Sequence, residues 1–351
     1  MELSEKVQLN IGILGASGYT GVELVRLLTL HPNAKIKFMT ANSHAGKKYN
    51  EVFPHLGNNN LPKLIKTEDI IWDDIDVVFC ALPHGTTQEI VKTIPTSIKI
   101  IDLSADFRLD NTETYAEWYG HKHHAPEIQK EAVYGLTEFN REAVSKGRVI
   151  ACPGCYPTAS LLQILPLVKE ELINVEDIII DAKSGVTGAG RSLKEASLFS
   201  EVAEGMHPYG IANHRHAPEI EQEIEKIIKK EIKINFTPHL VPMNRGELIT
   251  SYLRLSDGVT SEDLINTLRN TFSSESFVRV SSDNIIPATR HVRGSNFVIT
   301  SVFPDRIPGR VILVTVIDNL VKGSSGQAIQ NMNLMFGISE ETGLEQQPLF
   351  P

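Results

Sequence analysis

Cysteine is scarce, with three in 351 residues. An odd number scattered through a long chain excludes a disulfide framework and points to reduced thiols in the cytoplasm. Long apolar runs are missing as well. No stretch reaches the roughly eighteen residues that a spanning helix needs, and 41% hydrophobic against 22% charged residues is an ordinary balance for a globular fold. The opening MELSEKVQLN has neither the basic flank nor the apolar stretch of a secretory signal, so a cytoplasmic location is expected. Positive charge is in deficit: 34 Lys and Arg face 43 Asp and Glu, for a net charge of -9. That excludes the broad electrostatic footprint of a nucleic-acid or anionic-membrane binder, and leaves any small anion to be met by individual arginines. Internal repeats, low-complexity segments and long linkers are also absent. A chain of 351 residues outgrows a single core, so two domains are expected.

What is present begins as an alternation of strand-like and helix-like runs. LNIGILGA, GVELVRLLTLH, KIKFMTA, VVFCAL and KIIDLSA follow one another, the order of a parallel sheet with crossover helices. VVFCAL is apolar throughout, as a strand covered on both faces should be, so Cys80 reads as core. From Ile178 onward the runs lengthen and helices thin out: IIIDAKSGV, INFTPHLVP, LITSYLRLS, NFVITSVF and RVILVTVIDNL. These predict a second domain of α+β type with a mainly antiparallel sheet. The last amphipathic stretch, SSGQAIQNMNLMFG, is placed to return to the first domain.

Directly after the first strand comes GASGYTG, with Gly15, Gly18 and Gly21 at equal spacing and a helical pattern starting near Tyr19. Strand, tight turn and helix start form a phosphate cradle. Backbone N–H groups face the ligand there, and missing Cβ atoms let a pyrophosphate approach. A bare glycine triplet is also met in ordinary turns; its place inside a βαβ unit makes this a Rossmann-like dinucleotide domain. An NAD site usually ends its second strand on an acidic residue, and KIKFMTANSHAGKKY has none. Thr40, Asn42, Ser43 and Lys47 or Lys48 offer donors for a 2′-phosphate instead, so NADP is expected.

GRVIACPGCYPTASLLQILPLV joins a short strand to a long helical pattern, with Cys155 at the junction. The partial positive charge of a helix start lowers a thiol's pKa, and Pro157 suits a first turn. Such a thiolate is a competent nucleophile with N–H groups nearby for an oxyanion. Two other readings stay open: a plain buried cysteine, and a thiol–disulfide pair in Cys152-Pro-Gly-Cys155. In HRHAPEIEQEIEKII, His214 and His216 alternate along what reads as an extended segment and can face one cleft. Glu219 lies close enough to orient a ring or cap the helix. These residues lack further ligands, so no metal is expected. His121, His123 and His124 precede a second Ala-Pro-Glu, and the chemistry of the residues alone does not separate the two clusters. Arg108 in SADFRL and Arg191 in SGVTGAGR are candidate anchors for carboxylate or phosphate, or else surface ion pairs.

Taken together, GASGYTG, SADFRL, PGCYPT, SGVTGAGR, HRHAPEI and DNLVKGSSGQAIQN resemble the N-acetyl-gamma-glutamyl-phosphate reductase family of arginine biosynthesis, in order and spacing over almost the whole chain. The resemblance implies an NADPH-dependent reduction of N-acetyl-L-glutamyl 5-phosphate to the 5-semialdehyde through a cysteine thioester, by a homodimer or homotetramer. It implies an NADP-binding domain over residues 1–153, completed by a C-terminal helix at 322–351, and a catalytic and oligomerisation domain over 154–321. Cys155 would be the nucleophile and His216, the second histidine of its motif, the acid–base partner, which sets the His124 cluster aside. Arg108, Arg191, His214, Glu219 and Ser184 would meet the substrate. Gly15, Ser17, Gly18, Tyr19, Thr20, Gly21, Thr40, Asn42, Ser43, Pro83, Gly188, Asn319 and Gly323 would meet the cofactor. Two departures stand out. The family commonly has Asn where Cys152 stands, so that either the Asn role is dispensable or Cys152 adds redox sensitivity, and often a Ser-Arg pair in place of Ala41-Asn42. A reductase of aminoadipyl or aspartyl phosphate, and a non-catalytic NADP sensor, are the alternatives.

Overall fold

The computed structural model describes residues 8–56, 60–281 and 285–350. Residues 1–7 of the N-terminal stretch read above lie outside them. The chain divides into two compact units: Met1–Pro153 with Ser324–Glu345, and Gly154–Gly323 with Gln346–Pro351. The return to the first unit is shorter than 322–351, because the last residues rejoin the second unit. There the Leu349 N–H donates to the Arg293 carbonyl at 2.8 Å.

The first unit is built on strands β1 (Leu9–Leu14), β2 (Ala34–Thr40), β3 (Leu64–Ile65), β4 (Val77–Cys80), β5 (Lys99–Asp102), β6 (Ala132–Tyr134) and β7 (Val149–Ala151). Their order is β3-β2-β1-β4-β5-β7-β6, and every pairing is parallel. Crossover helices bury both faces, which is why Ile11, Ile13, Val77 and Val78 have no exposure. Cys80 shares that burial, which pushes its thiol well up and leaves it inert. Strand order reverses at β1, whose neighbours are β2 and β4, so the crevice beyond its C-terminal end is a topological switch point. The returning helix, Gly326–Met335, differs from the amphipathic stretch expected: Gln327, Gln330, Asn331 and Asn333 are all buried. Their amides are spent inside the unit. Asn331 donates to the Gly135 carbonyl at 2.8 Å and accepts from Thr137 at 2.7 Å.

The second unit holds β8 (Ile173–Gly185), β9 (His207–Pro208), β10 (Asn235–Val241), β11 (Glu247–Leu255), β12 (Val278–Val280), β13 (Val298–Pro304) and β14 (Arg310–Ile317), in the order β12-β13-β14-β11-β8-β10-β9. Pairings β8–β11, β11–β14, β13–β14 and β9–β10 are antiparallel, while β8–β10 and β12–β13 are parallel, giving a mixed, mainly antiparallel sheet. Helix Cys155–Lys169 lies on this sheet with Tyr156 to Val168 all buried. A polar staple fixes it there: Gln163 donates to Ser251 at 2.8 Å and accepts from Thr315 at 3.2 Å.

Candidate active site

In the first unit the three glycines of the loop do three different things. Gly15 has φ +81°, and a Cβ there would lie 2.4 Å from the Ala81 carbonyl oxygen. At Gly21 a Cβ would meet the Gly15 carbonyl oxygen at 2.4 Å, so this glycine lets the helix Tyr19–Leu28 pack on the turn. Gly18 differs, because its nearest atom would be 3.7 Å away. It is the N-cap of that helix, and no side chain caps it. A turn glycine, an open glycine and a packing glycine ahead of an uncapped helix start are the parts of a pyrophosphate cradle. Ser17, Tyr19 and Thr20 are half-buried around it.

Thr40 is buried, and its hydroxyl accepts from the Gly15 N–H at 3.1 Å while its carbonyl accepts from Ala16 at 2.8 Å. It therefore ties β2 to the cradle. Asn42 and Ser43 lie exposed in the turn just beyond, with Lys47 and Lys48. The Asn42 side-chain oxygen accepts from the Thr67 N–H at 3.1 Å, at the edge of a cavity of about 730 Å³ that Lys66, Trp72, Ile90 and Thr93 also line. Lys66 was not singled out in the sequence; it lies far from the glycine loop there, and only β3 brings it beside Asn42. Pro83 is exposed in the turn after β4.

Arg108 is 8% exposed, and its Nε donates to the Cys152 carbonyl at 2.7 Å and Nη2 to the Leu103 carbonyl at 3.3 Å. At least part of this guanidinium braces main chain. His123 is buried with Nε2 on the Asp106 carbonyl at 2.8 Å, while His124 lies at the surface, 3.0 Å from Glu89. Cys152 is 1% exposed, and burial pushes its thiol up to about 12. An exchange mechanism needs an accessible thiolate, so Cys152 makes a poor partner for it.

In the second unit Cys155 is the first residue of its helix, behind Gly154 as N-cap, and no side chain caps the helix. It is half-buried. Pro157 in the first turn has no N–H, so the donors at this end are the backbone groups of Cys155 and Tyr156. The Gly154 N–H donates to Glu219 Oε1 at 2.8 Å, and Glu219, 1% exposed, sits in the first turn of helix His216–Ile228. One carboxylate thereby lies at two helix N-termini, where negative charge is favoured, and locks the starts of the Cys155 and His216 helices together.

His214 and His216 do not alternate along a strand, as the sequence suggested. Gly210 and Ala212 take positive φ and Arg215 is helical, which curls the segment into a turn that enters the helix at His216 itself. The rings are nonetheless adjacent, 4.7 Å apart, with Tyr156 5.7 Å from the His216 ring. His214 Nδ1 accepts from the His216 N–H at 3.1 Å, and burial with nearby Arg215 holds its pKa down to about 4, so it stays neutral and serves as a cap.

Ser184 is buried at the end of β8, directly opposite Glu247 on β11, which in turn faces Ile317 on β14. A Cβ on Gly323 would stand 2.7 Å from the Cys155 Cβ. Gly188 is in a turn near Ser184 and Asn319. The Asn319 amide is occupied at both ends, accepting from Gly246 and donating to Thr187 at 2.9 Å each. Arg191 is exposed, far along the chain from Arg245, whose Nη1 lies 3.5 Å from Asp318. Glu247 and Arg245 were not foreseen; the first carries a signal in the alternation of β11.

Family models match both units: "Semialdehyde dehydrogenase, NAD binding domain" over residues 10–147, and "Semialdehyde dehydrogenase, dimerisation domain" over 155–319. A probable N-acetyl-gamma-glutamyl-phosphate reductase of the chloroplast from Oryza sativa is 55% identical over 98% of this chain and 83% of its own length. An N-acetyl-gamma-glutamyl-phosphate reductase from Rhodospirillum rubrum is 54% identical over 99% of this chain and 100% of that one. Among solved structures, aspartate semialdehyde dehydrogenase II from Vibrio cholerae aligns with TM-score 0.71 at 17% identity, covering 94% of this chain and 98% of that one. The Candida albicans enzyme with NADP aligns with TM-score 0.69 at 18% identity over 94% and 98%. Identities this low speak to the fold, whereas identity above half over nearly the full length speaks to kinship, and the chain belongs to the N-acetyl-gamma-glutamyl-phosphate reductase family.

Proposed function

We propose that the protein reduces N-acetyl-L-glutamyl 5-phosphate to N-acetyl-L-glutamate 5-semialdehyde and inorganic phosphate, with NADPH as reductant and Cys155 as nucleophile. The observation that carries this is Cys155 at an uncapped helix start, tied through Gly154 and Glu219 to the start of the His216 helix. His216 takes the thiol proton and the sulfur attacks the acyl carbon. The backbone N–H groups of Cys155 and Tyr156 steady the oxyanion until phosphate leaves and a thioester remains. A nicotinamide dinucleotide, when bound, supplies the hydride that brings the thioester carbon to the aldehyde level. Collapse expels the Cys155 sulfur, and the His216 imidazolium returns its proton there.

The first unit supports the cofactor half of this reading, since the Gly15–Gly21 cradle leaves room only above Gly18. No acidic residue ends β2, and Asn42 and Ser43 offer donors in the turn just beyond it, with Lys66, 3.0 Å from Glu68, at the end of the neighbouring strand. We accordingly expect NADPH to be preferred over NADH by at least about tenfold in kcat/KM, a difference of roughly 1.4 kcal/mol; similar values would refute the preference. Arg191, Arg245 and Ser184 are our candidates for the substrate's anionic groups, with Arg108 bracing the chain behind them in sequence. Leu193, Leu198, Phe199, Met206 and Ile211 are exposed along one segment of the second unit, which supports a homo-oligomer assembled through that unit. A nucleophilic thiol that must stay reduced fits the cytoplasm. The direct test supplies N-acetylglutamate semialdehyde, phosphate and NADP to the purified protein and follows nicotinamide absorbance. Reduction of NADP with this semialdehyde is expected; none with it, but turnover of aspartate semialdehyde, would overturn the assignment.

A further inference from the structure

Glu247 is the first residue of β11 and has no exposed surface. It stands in a row across three strands, between Ser184 and Ile317, on the face where Ile317 also approaches Gly323. No nitrogen or oxygen donor meets either of its carboxyl oxygens among the described residues. Cys155 lies near enough to act on it, since Ile317, the cross-strand neighbour of Glu247, and Cys155 both crowd Gly323, and the phenols of Tyr156 and Tyr209 feel Cys155 and Glu247 alike. Asp318 is the other charged group that acts on it, and Asp318 in turn pairs with Arg245. A carboxyl that no donor meets among the described residues is a costly occupant of a sheet interior that Ile249 and Leu253 fill further along the same strand face.

We propose that Glu247 is a second catalytic partner of Cys155, resting as the neutral acid and donating its O–H to the sulfur whenever the thiolate forms. This rests on Cys155 being the nucleophile. His216 removes the thiol proton; the Glu247 O–H stays intact and lends the sulfur anion a hydrogen bond, so no bond to Glu247 is made or broken during turnover. Burial pushes the carboxyl up to about 8, which keeps it protonated at neutral pH. Above that value its charge opposes the thiolate, so the two groups titrate as a pair.

The test is alkylation of the substrate-free enzyme by iodoacetamide as a function of pH, with the modified cysteine located by mass spectrometry. Wild type should show two titration steps. Glu247→Gln keeps a donor but cannot ionise, and should react like wild type near pH 7 with the alkaline step gone. Glu247→Leu should react slower near pH 7 by on the order of tenfold, the scale of a charge-assisted hydrogen bond, yet melt at a higher temperature because a stranded carboxyl has been removed. Superimposed profiles for all three, or a Glu247→Leu variant that melts lower than wild type, would overturn the proposal. Alkylation at a cysteine other than Cys155 would instead overturn the nucleophile assignment on which it depends.

Discussion

Two thiols three residues apart have opposite environments, and that contrast sets the first expectation. Cys155 sits at a helix start where the aligned peptide dipoles favour an anion. Cys152 is enclosed, receives a long contact of 3.7 Å from the Asn331 amide, and is held as a neutral thiol by burial. Cys155→Ser should abolish turnover while cofactor binding, followed by nicotinamide fluorescence, persists. Cys152→Ser should retain most activity; equal loss from both would restore the disulfide reading. A similar contrast separates the histidines. His216 begins a helix whose first turn, through Glu219, holds the N-cap of the Cys155 helix, whereas His124 pairs with Glu89 at the surface of the other unit. His216→Asn should lower kcat by roughly two to four orders of magnitude, the usual range for a positioned acid–base group, and slow Cys155 alkylation. His124→Asn should change neither, and a crippled His124→Asn variant would reverse the assignment.

At the scale of elements, the position of Cys155 is fixed by what presses on its helix. Val321–Ser325 forms a π-helical turn, a local widening often found at functional sites, and it brings Gly323 against Cys155. A methyl group on Gly323 would need the 2.7 Å that the Cys155 Cβ already occupies. Gly323→Ala should therefore cost about 1–3 kcal/mol in chemical denaturation, as overpacking does, and lower kcat more than tenfold through a displaced sulfur. A variant as stable and active as wild type would mean the turn yields freely. Elements like this one also mark where sequence patterns stop informing. The glycine loop, the helix start near Tyr19 and the Cys155 junction were legible because each is set by residues adjacent in the chain. The turn at His214 was not, since alternation says nothing of the positive φ at Gly210 and Ala212. Glu247 did carry a signal, in the phase of its strand: Glu247, Ile249, Ser251 and Leu253 share one strand face, and the two aliphatics turn that face inward. Gln327 and Asn331 of Gly326–Met335 carried no such signal, because their partners at Gly135 and Thr137 lie nearly two hundred residues away.

Across the whole molecule, buried groups make stability depend on pH in two opposing directions. Asp102, in the first unit, is raised from 3.8 to about 7 by burial and then by neighbouring Asp106, against hydrogen bonds from Ser104. Glu247, in the second, is raised from 4.5 to about 8, chiefly by burial. The unfolded chain gives up these protons near pH 4 while the folded chain keeps them. Their contribution is therefore whole below the unfolded pKa and drains away as pH climbs to the folded one. His214 runs the other way, held from 6.5 down to about 4 by burial and then Arg215, so its contribution is present above pH 6.5 and is lost as pH falls through 4. Between those limits the terms offset each other; from pH 6.5 to 8 only the carboxyls act. Urea midpoints should consequently decline from pH 6.5 to 8, by an amount on the order of 1 kcal/mol per carboxyl in that window, since each pKa unit is worth about 1.4 kcal/mol. Asp102→Asn and Glu247→Gln should each flatten part of the decline. The two groups belong to different units and are acted on by different neighbours, Asp106 and Ser104 for one and Cys155 and Asp318 for the other, so the double variant should show the sum of the two effects. If Asp102→Asn declined as steeply as wild type, Asp102 would already be ionised at neutral pH in the folded protein, and the charge balance around Arg108 would have to be redrawn with an anion in place of a neutral acid.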